Sequence, residues 1–163
     1  NMNENTIKNA GHPREFSEGG SRDLTTKYYV DTIFPSRFID WVKTNPVPLN
    51  SSRNYLTNSR EVALSAVKVG KPTFNSQYDN GLYRYPICHD KGRFHSTQKP
   101  LAFMEELVRK HSNENDVVLD NCMGSGTTAI ACIKNNRKYI GFEKEKKYFE
   151  ICNERINEVI NDE

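Results

Sequence analysis

A glycine-containing loop, Asp120–Thr128, has the residue types of a nucleotide or cofactor site. Its glycines, Gly124 and Gly126, allow the backbone to turn tightly and let a ligand approach closely. A second acid, Glu143, stands 17 residues after Gly126, at the end of the next predicted strand. A carboxylate in that place can accept both hydroxyls of an adenosine ribose. The spacing therefore predicts a site for a ligand that contains adenosine.

Three ligand classes and a purely structural turn compete for this loop. A P-loop that binds phosphates requires a lysine after its last glycine, and no lysine follows Gly126. The pattern Gly124-x-Gly126-x-x-Ala129 satisfies the loose dinucleotide fingerprint, but Asp120 at the strand end would repel a pyrophosphate. A cofactor with an ammonium and a sulfonium, and no phosphate, tolerates that acid. The loop alone thus favours S-adenosylmethionine over a dinucleotide and leaves the structural turn open.

The regular elements of the last third would position these residues. Apolar runs predict strands over Val117–Leu119 and Lys138–Phe142, with a helix between them from about Thr127 to Lys134. Pro100 is a natural first residue for an earlier helix. A closing helix would place on one face Tyr148, Ile151, Cys152, Ile156, Val159 and Ile160. This order of strand, loop, helix, strand and helix predicts a parallel α/β layer.

The first 100 residues are less regular. Residues 1–26 are polar and rich in glycine and serine, which predicts a flexible lead-in, and residues 27–163 would form a single domain. Short β-like runs occur at Tyr28–Val30, Phe38–Val42 and Val62–Val67. The segment from Gly70 to Arg93 has poor periodicity, which predicts a loop-rich insert. Its aromatic and basic residues are Lys71, Phe74, Tyr78, Tyr83, Arg84, Tyr85, Lys91 and Arg93.

Composition excludes several classes of protein. No run approaches the roughly 18 apolar residues of a membrane span, and no secretory signal is visible, so we expect no membrane partner and a cytoplasmic location. The net charge of +2 neither demands nor excludes nucleic acid. The four cysteines form no CxxC pair, which favours reduced, buried thiols over a zinc site, so no metal is expected. These cysteines are Cys88, Cys122, Cys132 and Cys152.

Three segments in this order resemble the cofactor motifs of the DNA adenine-N6/cytosine-N4 methyltransferases of the permuted β arrangement. They are Phe94–Pro100, Val118–Thr128 and Tyr139–Glu143. Upstream, Trp41–Pro46 and the residues from Asn54 to Glu61 are similar to later core segments of the same family. The resemblance covers roughly residues 38–157. It departs from the family at Asn121-Cys122, where Pro-Phe is usual.

The resemblance implies a partial Rossmann-like α/β sheet, flanked by helices, that binds S-adenosylmethionine. His95, Ser96, Thr97, Gln98, Lys99 and Pro100 would wrap the methionine end of the cofactor. Asp120, Gly124, Gly126, Thr127 and Thr128 would hold its amino-acid part, and Glu143 its ribose. The alternatives are that Gln98–Pro100 is a plain helix start, that Glu143 is a solvated acid, and that His95 is structural.

The family's DNA chemistry needs a further element. A [D/N/S]-P-P-[Y/F/W] loop accepts the protons of the target amine and stacks on the flipped base. This tetrapeptide is absent from the sequence, and Asn45-Pro46-Val47-Pro48 lacks both the adjacent prolines and the aromatic ring, so it is interpreted as a loop. We therefore expect no catalytic residue here. Residues 70–94 fall where the family has its target-recognition region, although an ordinary solvated loop is the alternative.

Three hypotheses follow for function. The chain is either the cofactor-binding part of a DNA amino-methyltransferase, an inactive remnant or subunit that binds cofactor or DNA, or a methyltransferase with another substrate. The first does not decide between adenine and cytosine. It implies DNA as a partner. It also implies that strand edges and apolar faces would stay open unless a second chain supplies the catalytic loop or strands pair between copies in a homodimer; otherwise the chain is a truncated remnant.

Overall fold

The computed structural model describes residues 36–47, 57–67, 70–88 and 93–162. The strands are β1 (Ser36–Lys43), β2 (Arg60–Ala66), β3 (Leu82–Tyr85), β4 (Val117–Asp120) and β5 (Lys138–Gly141). The helices are α1 (Leu101–His111), α2 (Thr127–Lys134) and α3 (Lys146–Asp162). The predicted lead-in, residues 1–26, and the predicted strand Tyr28–Val30 lie outside the described residues.

Strands β4 and β5 form a parallel two-stranded sheet, in which Val117 pairs with Lys138 and Asp120 with Gly141. This β4–α2–β5 unit confirms the strand–loop–helix–strand prediction, including the bounds of α2. Because β4 and β5 run parallel, the residues that follow them meet at one edge of the sheet. The glycine loop and Glu143 are therefore brought together by the topology itself.

The two faces of this sheet differ. Val118 and Tyr139 pack against buried residues of α2, among them Ala131 and Cys132, and against Val108 of α1. On the opposite face four large apolar side chains are more than half exposed: Val117, Leu119, Ile140 and Phe142. Within the described ranges, no strand pairing joins this sheet to the three-stranded one. The resemblance implied such an open apolar face.

A second sheet has the strand order β2-β1-β3, with β3 parallel to β1. The prediction of a loop-rich insert from Gly70 to Arg93 is wrong at β3. This strand is only four residues long. Its alternation of buried and exposed side chains is recognisable only in the structure, where Tyr83 is buried and its ring lies tilted against that of Phe103 in α1. The indole of Trp41 donates a hydrogen bond to the Tyr85 carbonyl, 2.9 Å away. Tertiary pairing, not local periodicity, thus makes the strand.

The cysteines divide into two pairs. Cys132 and Cys152 are buried, as predicted, and burial raises the pKa of the Cys132 thiol to about 11. Cys122 is exposed in the turn after β4, and Cys88 is half-buried, so burial was wrongly predicted for both. Cys122 lies in a turn rather than in a packed helix, which accounts for its exposure.

The chain divides into two compact units, Asn1–Ile39 with Val62–Lys71 and Asp40–Glu61 with Pro72–Glu163. The candidate site below lies wholly in the second unit. Of the first unit, the structure describes residues 36–39, 62–67, 70 and 71. No helix among the described residues has the length and apolar character that crossing a bilayer demands.

Candidate cofactor site

A cavity of about 380 Å³ opens at the carboxyl edge of the β4–β5 sheet. One wall is the glycine loop with Glu143, and the other is the segment before α1. The lining residues are His95, Thr97, Gln98, Lys99, Met104, Asp120, Cys122, Met123, Gly124, Ser125, Thr127, Thr128 and Glu143. The volume falls within the roughly 300–1,000 Å³ that is usual for small-molecule sites.

Asp120, the last residue of β4, organises the start of the glycine loop. Its Oδ2 accepts a hydrogen bond from the Thr128 hydroxyl at 2.6 Å, and its Oδ1 accepts one from the Cys122 amide at 3.0 Å. Both bonds are local, so the β4–loop–α2 unit orients this carboxylate without help from other elements. The Asp120 carboxylate is thereby held in one orientation at the edge of the cavity.

The two glycines of the loop have different reasons for being glycine. Both adopt positive φ, 53° at Gly124 and 80° at Gly126, which other L-residues rarely adopt. A Cβ on Gly126 would lie 2.5 Å from the Cys152 Sγ, so α3 packs directly against the loop backbone there. A Cβ on Gly124 would meet only the His95 ring, at 3.9 Å. Gly126 therefore serves packing, whereas Gly124 faces the cavity.

Glu143 follows β5 and turns back to the glycine loop. Its Oε2 accepts a hydrogen bond from the Gly124 amide and its Oε1 accepts one from the Glu145 amide, both at 2.8 Å. The Glu145 amide, followed by that of Gly124, lowers the pKa of this carboxyl, although slight burial opposes the effect. A carboxylate can accept about four hydrogen bonds, so each oxygen retains capacity for a ligand. Glu143 is thus an oriented, charged acceptor.

The opposite wall has no regular secondary structure. The Thr97 amide donates to Nδ1 of His95 at 3.1 Å, and the Ser125 hydroxyl donates to the Gln98 side-chain oxygen at 3.0 Å. The Lys99 ammonium lies 2.7 Å from Glu61, which also pairs with Lys43 at 3.0 Å. These contacts hold the segment against the glycine loop and against residues distant in sequence.

Most of the predicted site residues share this cavity. Ser96, Pro100 and Gly126 do not line it. Ser96 is exposed and its carbonyl accepts a bond from Arg93, while Pro100 is buried at the start of α1. The lining residues that the sequence did not single out as binding residues are Met104, Cys122, Met123 and Ser125. Cys122, Met123 and Ser125 lie inside the glycine motif, so the sequence could have indicated them as binding residues. For Met104 the sequence showed only the spacing of a helical core residue.

The segment Asn45-Pro46-Val47-Pro48 is described as far as Val47. The Asn45 side-chain oxygen accepts a hydrogen bond from the Ile87 amide at 2.7 Å. This contact ties the end of β1 to the chain beyond β3. The interpretation of the segment as a loop, rather than as an amine-binding motif, agrees with this structural role.

A family model described as DNA methylase matches residues 3–154. The type II methyltransferase M.HinfI of Haemophilus influenzae is 34% identical over 138 residues, which are 73% of this chain and 38% of that protein. M2.LlaDCHI of Lactococcus lactis subsp. cremoris, also a type II methyltransferase, is 33% identical over 141 residues, 73% of this chain and 49% of that protein. The chain thus spans less than half of the length of these curated relatives.

Among solved structures, the chain is similar to the complex of M1.HpyAVI with SAM. The identity is 38%, the TM-score is 0.67, and the match covers 85% of this chain and 72% of that one. The α/β methyltransferase fold and the family predicted from the motifs are both confirmed. This chain belongs to the DNA methylase family, the methyltransferases of DNA adenine N6 and cytosine N4.

Proposed function

We propose that this chain provides the S-adenosylmethionine-binding part of a DNA amino-methyltransferase. The observation that carries the proposal is the meeting of Asp120 and Glu143, two oriented carboxylates, in one cavity. Lys99 also lines that cavity, but its ammonium is paired with Glu61. The lining is therefore suited to a cofactor that carries an ammonium and a sulfonium and has no phosphate.

The residues present fit such a cofactor. Glu143 would accept hydrogen bonds from the ribose hydroxyls, and Asp120 with the Gly124 backbone would hold the amino-acid part. His95, Thr97, Gln98 and Lys99 would enclose the methionine end. The bound cofactor supplies an electrophilic methyl group for direct transfer to an amine. Fixing the donor in line with the amine would supply most of the rate.

The proposal assigns no catalytic residue to this chain. The amine-binding tetrapeptide of the family does not occur in these 163 residues, so we propose that another polypeptide segment supplies it. A second chain would supply it, whereas a second copy of this chain lacks the same tetrapeptide and would only pair with the open strand edges. The competing function is a subunit that binds cofactor or DNA without catalysing transfer. The substrate would be an exocyclic amine of adenine or cytosine in DNA. A cytoplasmic location is proposed with it.

Calorimetric titration tests the cofactor assignment. We expect S-adenosylmethionine and its demethylated product to bind, and NAD and ATP not to bind, because Asp120 repels phosphates. Asp120→Asn should weaken binding of the methionine compound. Binding of NAD together with no binding of S-adenosylmethionine would overturn the assignment.

A duplex-methylation assay tests the division of labour. We expect no methyl transfer to duplexes of varied sequence by the purified chain alone. We expect transfer when a polypeptide carrying the amine-binding loop is added. Light scattering on the same samples reports whether copies of the chain associate. Transfer by a monomeric chain alone would contradict the requirement for another segment.

We also propose that residues 70–94 contact DNA. Tyr78 is fully exposed and has a positive φ of 54°, a strained conformation for a tyrosine. The loop is held on either side of it: the Asn75 amide donates to the Lys110 carbonyl, and Asp79 pairs with the Lys110 ammonium at 2.6 Å. A fully exposed aromatic ring on a loop that is anchored on either side suits stacking on a base.

DNA affinity of three variants tests this contact. Tyr78→Ala should lower affinity for DNA, and Tyr78→Phe should preserve it, because stacking needs the ring and not the hydroxyl. Phe74→Ala is the control, since Phe74 lies in the same insert but contacts His111. Equal DNA affinities for all three variants would show that the insert is an ordinary solvated loop that does not contact DNA.

A further inference from the structure

The closing helix α3 reaches both walls of the cofactor cavity through two residues that do not line it. Tyr148 and Arg155 are seven residues apart, which is close to two helical turns, so they lie on the same face. Between them on that face, Cys152 is buried against Gly126. This face of the helix is therefore packed against the site and is not free.

Tyr148 fixes the position of His95. The two ring centroids are 4.3 Å apart with an interplanar angle of 63°, an edge-to-face arrangement. The imidazole also lies 3.9 Å from the point where a Cβ of Gly124 would stand. The His95 ring is thus held between α3 and the glycine loop.

Arg155 joins the two walls directly. Its guanidinium donates a hydrogen bond to the Ser125 carbonyl in the glycine loop, and it lies 4.8 Å from the centroid of the Phe94 ring in the other wall. The side chain is half-buried, and burial lowers the pKa of its guanidinium. Partial removal of a guanidinium from water is unfavourable unless its contacts compensate. Here the compensating contacts belong to both walls of the cavity.

Ser125 carries this connection further into the site. Its carbonyl accepts the bond from Arg155, and its hydroxyl donates to Gln98, a residue of the opposite wall. Displacement of Arg155 would therefore remove one contact of Ser125 and one of Phe94 together. The separation of the two walls is set by this side chain together with the direct bond between Ser125 and Gln98.

We propose that Tyr148 and Arg155 are positioning residues for S-adenosylmethionine, holding the segment Phe94–Lys99 and the glycine loop at the separation the cofactor requires. The inference rests on the proposed cofactor function. It adds two residues of α3 that do not line the cavity. Substitution of either residue should therefore weaken cofactor binding by more than it lowers the free energy of unfolding.

The test compares cofactor affinity across substitutions of Arg155. Arg155→Ala should weaken binding of S-adenosylmethionine by about tenfold, because cofactor binding must then order the two walls that this charged hydrogen bond held together. Arg155→Lys, which keeps a cation able to reach the Ser125 carbonyl, should recover most of the affinity. The matched control is Arg109→Ala, an exposed helix arginine bonded to Asn135 outside the cavity. The free energy of unfolding is measured for each variant without ligand.

Nuclear magnetic resonance supplies a readout of position. Tyr148→Leu should shift the ring resonances of His95 and weaken cofactor binding, whereas Tyr148→Phe should do neither. Failure of the unchanged chain to bind S-adenosylmethionine would refute the proposed function. Binding by the unchanged chain, with Arg155→Ala and Tyr148→Leu no weaker than the Arg109→Ala control, would overturn this inference alone.

Discussion

The two walls of the cavity are held in different ways. The glycine-loop wall is built within one β4–α2–β5 unit: Asp120 is oriented by Cys122 and Thr128, and Glu143 by Gly124 and Glu145. The opposite wall lacks regular structure, and long-range side-chain contacts such as Lys99 with Glu61 hold it. The first wall should therefore be rigid and sensitive to backbone changes, and the second should be adjustable and tolerant of the loss of a single exposed ion pair.

The largest effect is expected from Gly126→Ala. A Cβ at φ 80° would be strained, and it would lie 2.5 Å from the Cys152 Sγ. Strain and overpacking together should lower the free energy of unfolding by about 2–4 kcal/mol. Gly70→Ala is the matched control, because Gly70 has φ 96° but nothing within 4 Å of the added atom. Urea denaturation that gives equal losses for the two would show that packing on α3 does not constrain this wall.

A smaller effect, on binding, is expected from Glu143→Ala. Loss of a charged acceptor for the ribose should weaken the binding of S-adenosylmethionine by about 1.5–3 kcal/mol. Glu150→Ala, which removes an exposed acid of α3, is the control for charge. If calorimetry gives the same affinity for both folded variants, Glu143 is a solvated surface acid and does not bind the ribose.

For the opposite wall, Glu61→Gln should have a weaker effect. The Glu61 carboxylate is more than a third exposed, so losing its pairs with Lys99 and Lys43 should reduce cofactor affinity by no more than about 1 kcal/mol. Glu105→Gln, which loosens the partly exposed pair of Glu105 with Arg109 within α1, is the comparison. An effect as large as that of Glu143→Ala would contradict the distinction between a rigid and an adjustable wall.

The smallest effect is expected from pH. Amides of Glu145 and Gly124 lower the pKa of Glu143; for Glu61, burial raises the pKa, but Lys99 and Lys43 together lower it. A carboxylate with a lowered pKa keeps its charge above the ordinary value of 4.5 and loses it only below. Affinity for S-adenosylmethionine should therefore change less than about twofold between pH 7.5 and 5.5. Calorimetry at several pH values measures this. A steep decline in affinity over that range would show that another group controls binding.

The difference between the walls also explains what the sequence could predict. The unit from β4 to β5 is local, so apolar runs, glycines and acids were enough to place α2, Asp120 and Glu143. The partner of Lys99 is 38 residues away, and that of Arg155 is 30 residues away, and no local pattern encodes such distances. Arg155 carried one signal, as a charged residue inside the predicted apolar face of α3. Strand β3 was missed for the same reason, since only its pairing with β1 reveals it.

The open face of the β4–β5 sheet has a thermodynamic consequence. Val117, Leu119, Ile140 and Phe142 are 51–64% exposed in the folded chain, so unfolding adds less apolar surface to water than these residue types suggest. The heat capacity increment of unfolding is governed by newly exposed apolar area. The isolated chain should therefore show a smaller increment than a domain of equal length with a fully covered sheet. Its stability should accordingly vary less steeply with temperature on either side of the maximum.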